Sequence, residues 1–207
     1  MRGLVALVSG LAVFAPPALA RPPIVQDRIP YGPQRRAEMA SYSFRHYGSA
    51  SWRLTPRVIV LHFTDGPSYT SAWSTFASDT SQLGELPGVC AHFIVDKDGT
   101  IYQLVSLRVR CRHAIGLNHV AIGIEMVQET AGHSSHWADQ QILGRRRQIR
   151  SALRLVRYLR ARFKIAIRDV IGHAMANGHR LFRDDEGWTN DHDDWIASDV
   201  RAFRRRL

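Results

Sequence analysis

Three short aliphatic runs fix the kind of fold open to this chain. Arg57-Val-Ile-Val-Leu-His62, Val120-Ala-Ile-Gly-Ile-Glu-Met-Val127 and Arg168-Asp-Val-Ile-Gly-His173 are rich in β-branched residues and too short for helices, so each reads as a buried strand. A fourth β-rich stretch, Ala91 to Leu104, is divided by Asp96-Lys-Asp-Gly99, and Asp-Gly between two such segments predicts a hairpin. Between the strands, Ser68 to Ser81 reads as a helix with Ser or Thr as N-cap. Gln140 to Phe163 carries Ile142, Ile149, Leu153, Val156, Leu159 and Phe163 on one helical face, with arginines on the other. Trp195 to Arg204 reads as a terminal helix, and residues 128 to 138 and 180 to 195 as loops. Strands interleaved with helices predict an α/β fold: a mixed central β-sheet flanked by helices in a single domain.

The two ends of the chain are of different character. Met1-Arg2, the apolar run Gly3 to Phe14 and the small residues up to Ala20 follow the layout of a secretory signal peptide cut after Ala20. Its apolar run of twelve falls short of the ~20 residues needed to span a bilayer. Residues 21–55, rich in Pro, Arg, Ser and Tyr, read as an N-terminal arm in which Gln34 to Phe44 can form a short helix, and residues 56–207 as the domain itself. Export to the periplasm or the extracellular space makes Cys90 and Cys111 a candidate disulfide across 21 positions. Neither lies in a Cys-x-x-Cys pair, which argues against a cysteine zinc knuckle or a redox motif.

Each of the three strands ends at, or carries, a chemically loaded residue: His62, Glu125 and His173. Strand ends are where sites of α/β sheets collect, and two neutral imidazoles brought together there can share a metal ion. A third ligand can come from Asn190-Asp-His-Asp-Asp194. In order along the chain stand His62-Phe-Thr, Ala91-His-Phe-Ile-Val-Asp-Lys-Asp-Gly-Thr-Ile-Tyr-Gln-Leu104, Arg112-His-Ala-Ile-Gly116, Asn118-His-Val-Ala-Ile-Gly-Ile-Glu125 and Val170-Ile-Gly-His173. These five blocks, across about residues 56–196, resemble the zinc-dependent N-acetylmuramoyl-L-alanine amidases of the amidase_2 family. That family is related to peptidoglycan recognition proteins and phage lysozyme-type amidases.

The resemblance implies a single amidase_2, peptidoglycan-recognition-like domain. It also implies zinc as cofactor, and peptidoglycan or muropeptides as substrate, cut at the amide between N-acetylmuramic acid and L-alanine. His62 and His173 match the two histidine ligands, and Glu125 matches the catalytic glutamate, a general base for zinc-activated water. The third-ligand loop lacks the usual Asp-Pro-Gly or Cys-Pro. Asp191 is the expected ligand because a carboxylate is the usual type there, with His192 as the alternative; Asp184, Asp185, Asp193 and Asp194 read as solvated or capping residues. His113 and Asn118 match positions that line the substrate groove, with loop-fixing hydrogen bonds as the other role open to them. His179, Arg183 and His192 are candidate oxyanion donors. His92 is expected to face the core or the hairpin's other side, and His46, His119, His133 and His136 the surface.

Another reading stays open: a non-catalytic muropeptide-binding module of the same fold, prompted by the unusual ligand loop. The formal charge of 28 − 18 = +10, with only Lys97 and Lys164 as lysines, also raises nucleic-acid binding, as do the runs Arg145-Arg-Arg147 and Arg204-Arg-Arg206. Export argues against that partner, and no integral membrane segment is expected once the signal is removed. The basic surface suits stem-peptide carboxylates, teichoic-type polymers or anionic lipid headgroups instead. The oligomeric state is left open.

Overall fold

A computed structural model describes residues 20–207, so the expected signal peptide falls outside the described residues except for Ala20. Six strands form one mixed sheet: β1 (Val25–Gln26), β2 (Val58–Phe63), β3 (Phe93–Val95), β4 (Ile101–Gln103), β5 (Ala121–Met126) and β6 (Val170–Gly172). Their spatial order is β1-β4-β3-β5-β2-β6. Among these strands only the β3–β4 hairpin is antiparallel; β1 runs parallel to β4, and β3, β5, β2 and β6 run parallel to one another. Two of the aliphatic runs, β5 and β2, thus sit inside the sheet and the third, β6, borders β2 at its edge; all three are buried.

Alternation along β2 and β5 divides the two faces. Ile59, Leu61, Ile122 and Ile124 point into a core built with Phe93 and the helices α3 (Ser135–Gly144), α4 (Arg146–Phe163) and α5 (Ala197–Arg204). α4 buries Ile149, Leu153, Leu155, Val156 and Leu159 against that face, each contributing roughly 1.5–3 kcal/mol by removal from water. On the opposite face Val58, Val60 and Ala121 pack on Ala114 and Leu117, while Ile94 packs beside Phe76 of α2 (Tyr69–Ala77). Ser68 caps α2 by accepting from the Ser71 amide.

The long helix expected over 140–163 is two helices. Arg145 is extended (φ −80°, ψ 93°), and its N–H closes α3 on Gln141 and Ile142. α3 begins at Ser135, inside the stretch 128–138 expected to be a loop. It can start there because the Ser134 hydroxyl accepts from the Trp137 amide and supplies an N-cap. Gln148, buried in the first turn of α4, donates to the carbonyls of Val95 and Val127 and so ties the helix start to the ends of β3 and β5.

The arm is folded against the sheet. α1 (Pro33–Tyr47) starts on Pro33 and ends on Gly48 in the left-handed region, and it buries Met39, Tyr42 and Tyr47. Its Arg35 is almost fully buried, donates to the carbonyls of Phe76, Gly88 and Val89, and pairs with Asp79. His46, expected at the surface, is fully buried between Asp184 (2.7 Å) and Glu85 (2.9 Å) and stacked on Tyr42. Two carboxylates from distant loops give this imidazole partners that the sequence does not reveal. His119 is half-buried, whereas His133 and His136 are exposed. Among the described residues no helix is long and apolar enough to cross a membrane.

Candidate metal centre

His62 and Glu125 are cross-strand neighbours in β2 and β5, on the face opposite α4. His173 follows the last residue of β6, the strand on the other side of β2. The three residues therefore converge because three parallel strands end together. The fourth component comes from the chain just before α5. Only glycine fits at position 172, since a Cβ on Gly172 would lie 1.7 Å from the Trp195 carbonyl oxygen. The Ala174 amide donates to the Asp194 carbonyl (2.9 Å), and the Trp195 amide donates to Asp139 Oδ2 (2.8 Å). Trp195 itself is fully buried against Phe203. This anchoring turns Asp194 inward.

His62 Nδ1, His173 Nδ1 and the Asp194 carboxylate form a buried group whose ligand atoms all lie within 4.8 Å of one another. The two Nδ1 atoms are 3.2 Å apart, and Asp194 approaches them at 3.4 and 3.2 Å. Asp194, not Asp191, is thus the carboxylate that joins the histidines. The Asp191 side chain is fully exposed, ahead of the Trp195 anchor. His192, the alternative, lies stacked on the His173 ring at 4.3 Å and is itself largely exposed. The signal that identifies Asp194 is its neighbour: a residue beside a large buried tryptophan is held inward, whereas the residues before it are free to face water.

The electrostatics follow from burial. Desolvation, reinforced by His173, lowers His62 to about 4, so its imidazole is neutral. Burial opposes ionisation of Asp194, but the adjoining His173 and His62 rings outweigh it and hold the carboxyl below its ordinary range. Glu125 is driven the other way, well above the ordinary carboxylate range, first by burial and then by the Asp194 charge. Its Oε2 is buried without a hydrogen-bond partner. An orphaned carboxylate oxygen beside two imidazole nitrogens and an ionised carboxylate is a donor set that fits a divalent cation such as zinc.

The other expected site residues divide. His113 lies against His62, with Nδ1 3.1 Å from His62 Nε2. Asn118 is buried and fixes the loop: its Oδ1 accepts from the amides of His113 and Ala114, and its Nδ2 donates to Tyr42. His92 is fully buried; its ring bonds the Val109 carbonyl and the Gly123 amide. His179 is engaged with Asp169, and Arg183 with Asp185. Asp184, besides pairing with His46, caps the amides of Glu186 and Trp188, and Asp193 accepts from Ser135. Cys90 and Cys111 are joined in a disulfide with Cα atoms 5.4 Å apart. Sequence reasoning missed Asn190, whose Oδ1 sits 2.9 Å from His173 Nε2.

Two histidines and a protonatable glutamate at the carboxyl ends of parallel strands, joined by an aspartate from the chain before α5, make the constellation of a hydrolytic enzyme. The sequence profile of the N-acetylmuramoyl-L-alanine amidase family, Amidase_2, matches residues 52–193, and the chain belongs to that family. Its enzyme class is therefore that of the amidases acting on cell-wall peptidoglycan. The solved endolysin N-acetylmuramoyl-L-alanine amidase LysCS from Clostridium intestinale URNW is similar in fold: TM-score 0.55, 21% identity, with 89% of this chain and 96% of that chain covered. N-acetylmuramoyl-L-alanine amidase LysC from the same organism gives TM-score 0.55 and 21% identity, over 88% of this chain and 97% of that chain. No curated protein matches the sequence.

Proposed function

We propose that this chain is a secreted zinc hydrolase that cuts the amide between N-acetylmuramic acid and the L-alanine of the stem peptide. The observation that carries this reading is the meeting of His62 Nδ1, His173 Nδ1 and the Asp194 carboxylate in one buried spot. Zinc held by those three residues supplies the Lewis acidity that makes water a nucleophile at neutral pH. Glu125 is the proton carrier: its unpartnered Oε2 accepts the proton of the attacking water. Its raised affinity for protons then suits delivery to the departing amine. His192, stacked on His173 and otherwise exposed, is the remaining candidate donor to the oxyanion, since His179 and Arg183 are engaged elsewhere. The signal-like residues 1–20 and the Cys90–Cys111 disulfide support export.

Asp194 also bears on the binding-module reading. That reading was prompted by a ligand loop without the usual Asp-Pro-Gly or Cys-Pro, and the inward-turned Asp194 offers a carboxylate there. The test is zinc content and amide cleavage on a purified muropeptide, followed by mass spectrometry of the released stem peptide. Zinc-loaded protein should release the peptide, and Asp194→Ala should lose both zinc and activity while Asp191→Ala keeps both. Zinc-loaded wild-type protein that leaves the amide intact makes the chain a binding module.

A further inference from the structure

We infer that His113 and Asn190 are positioning residues that fix both candidate ligand imidazoles in the Nε2–H tautomer, through one shared loop, so that each presents Nδ1 to the metal. The inference rests on the zinc reading above and deepens it. It begins at the Ala121 carbonyl, which can only accept. His113 Nε2, 3.4 Å away, must therefore carry the proton, which leaves His113 Nδ1 as an acceptor in the neutral ring. The hydrogen between His113 Nδ1 and His62 Nε2 (3.1 Å) then belongs to His62, and His62 Nδ1 is left with its lone pair facing the site. At the second histidine, Asn190 Oδ1 accepts from the Ile115 amide (2.8 Å), which fixes the orientation of its amide group. His173 Nε2, 2.9 Å from the same oxygen, must donate, and again Nδ1 is left bare.

Both acceptors hang on the short segment 113–115. Asn118 Oδ1 clamps it from beneath by accepting from the amides of His113 and Ala114 (both 2.8 Å). Asn190 grips its end with a reciprocal pair on Ile115, Nδ2 to the carbonyl at 2.9 Å and Oδ1 from the amide. Gly123 makes room for the His113 ring, since a Cβ there would lie 2.7 Å from its Cγ. An outer acceptor that fixes tautomer and ring orientation typically changes metal affinity about 10–100-fold.

Long-range nitrogen–proton NMR of the chelated, metal-free protein at neutral pH reads the tautomers directly, and competition with a chromogenic chelator reads zinc affinity. In the wild type both His62 and His173 should show Nε2–H. His113→Phe should give His62 mixed tautomers and weaken zinc binding about 10–100-fold, with His173 unchanged. His113→Gln, which restores an acceptor oxygen, should recover part of the loss. Asn190→Ala should give His173 mixed tautomers and weaken zinc binding by a similar factor, and it keeps the test alive if the His113→Phe protein does not fold. A His113→Phe protein, or failing that an Asn190→Ala protein, that retains a single Nε2–H tautomer at the affected ligand and wild-type zinc affinity overturns the inference. A wild type that shows the two tautomers but binds no zinc instead refutes the zinc reading.

Discussion

Asp139 offers a sharp test of how the anchored loop is held. Its side chain is fully buried in α3; Oδ2 accepts from the Trp195 amide, while Oδ1 has no partner. Burial, and after it the charge of Asp199, raises its pKa from an ordinary 3.8 to about 9. Between those values the folded protein keeps a proton that the unfolded chain gives up. Stability from this group is therefore complete below about pH 4 and is lost as the pH rises towards 9. Each pH unit in that window costs about 1.4 kcal/mol, so the step from pH 5 to pH 8 costs about 4 kcal/mol. Asp139→Asn keeps an oxygen for the Trp195 amide but does not titrate. Urea unfolding of both chelated proteins at pH 5, 6, 7 and 8 isolates the effect, because every other titrating group cancels in the difference. With a slope of about 2 kcal/mol/M, the midpoint of the variant should gain about 2 M on the wild type across the range. Parallel stability curves would show that the carboxyl is ionised in the folded state and refute the argument.

Glu125→Gln should retain zinc and lower the rate of amide cleavage about 10²–10⁴-fold, measured by stem-peptide release, because the amide cannot carry the proton. Gly123→Ala drives a methyl into the His113 ring at 2.7 Å and should destabilise by about 1–3 kcal/mol in denaturant unfolding. Replacing both Cys90 and Cys111 by serine opens a loop with a sequence separation of 21 and should cost about 3 kcal/mol, read as a lower unfolding midpoint that reducing agent no longer changes.

What the sequence disclosed follows from how local its signals are. Strands β2, β5 and β6 were legible because an uninterrupted β-branched run has one comfortable state, and their terminal residues carried the chemistry with them. β1 was not, since two residues paired at a sheet edge have no periodicity to read. α3 was hidden because its start depends on a serine cap and not on an apolar stripe. The partners of His46 come from 39 and 138 positions away, and no local pattern encodes such a meeting. Naming Asp191 or His192 as the third ligand, and Asp194 as solvated or capping, missed the buried carboxylate for a related reason. Residue type was used where burial decides, and burial at 194 is set by Trp195, Phe203 and Gly172 acting from three separate elements.

The segment matched by the family profile stops at residue 193. Asp194 is the next residue, and the tryptophan and final helix that hold it in place lie beyond that border, as α1 with its buried arginine lies before the other. A portable catalytic piece cut to the matched borders would keep both histidines and the glutamate yet forfeit the carboxylate between them. Swaps and grafts between relatives should therefore carry the tail and the leading helix as one unit with the sheet.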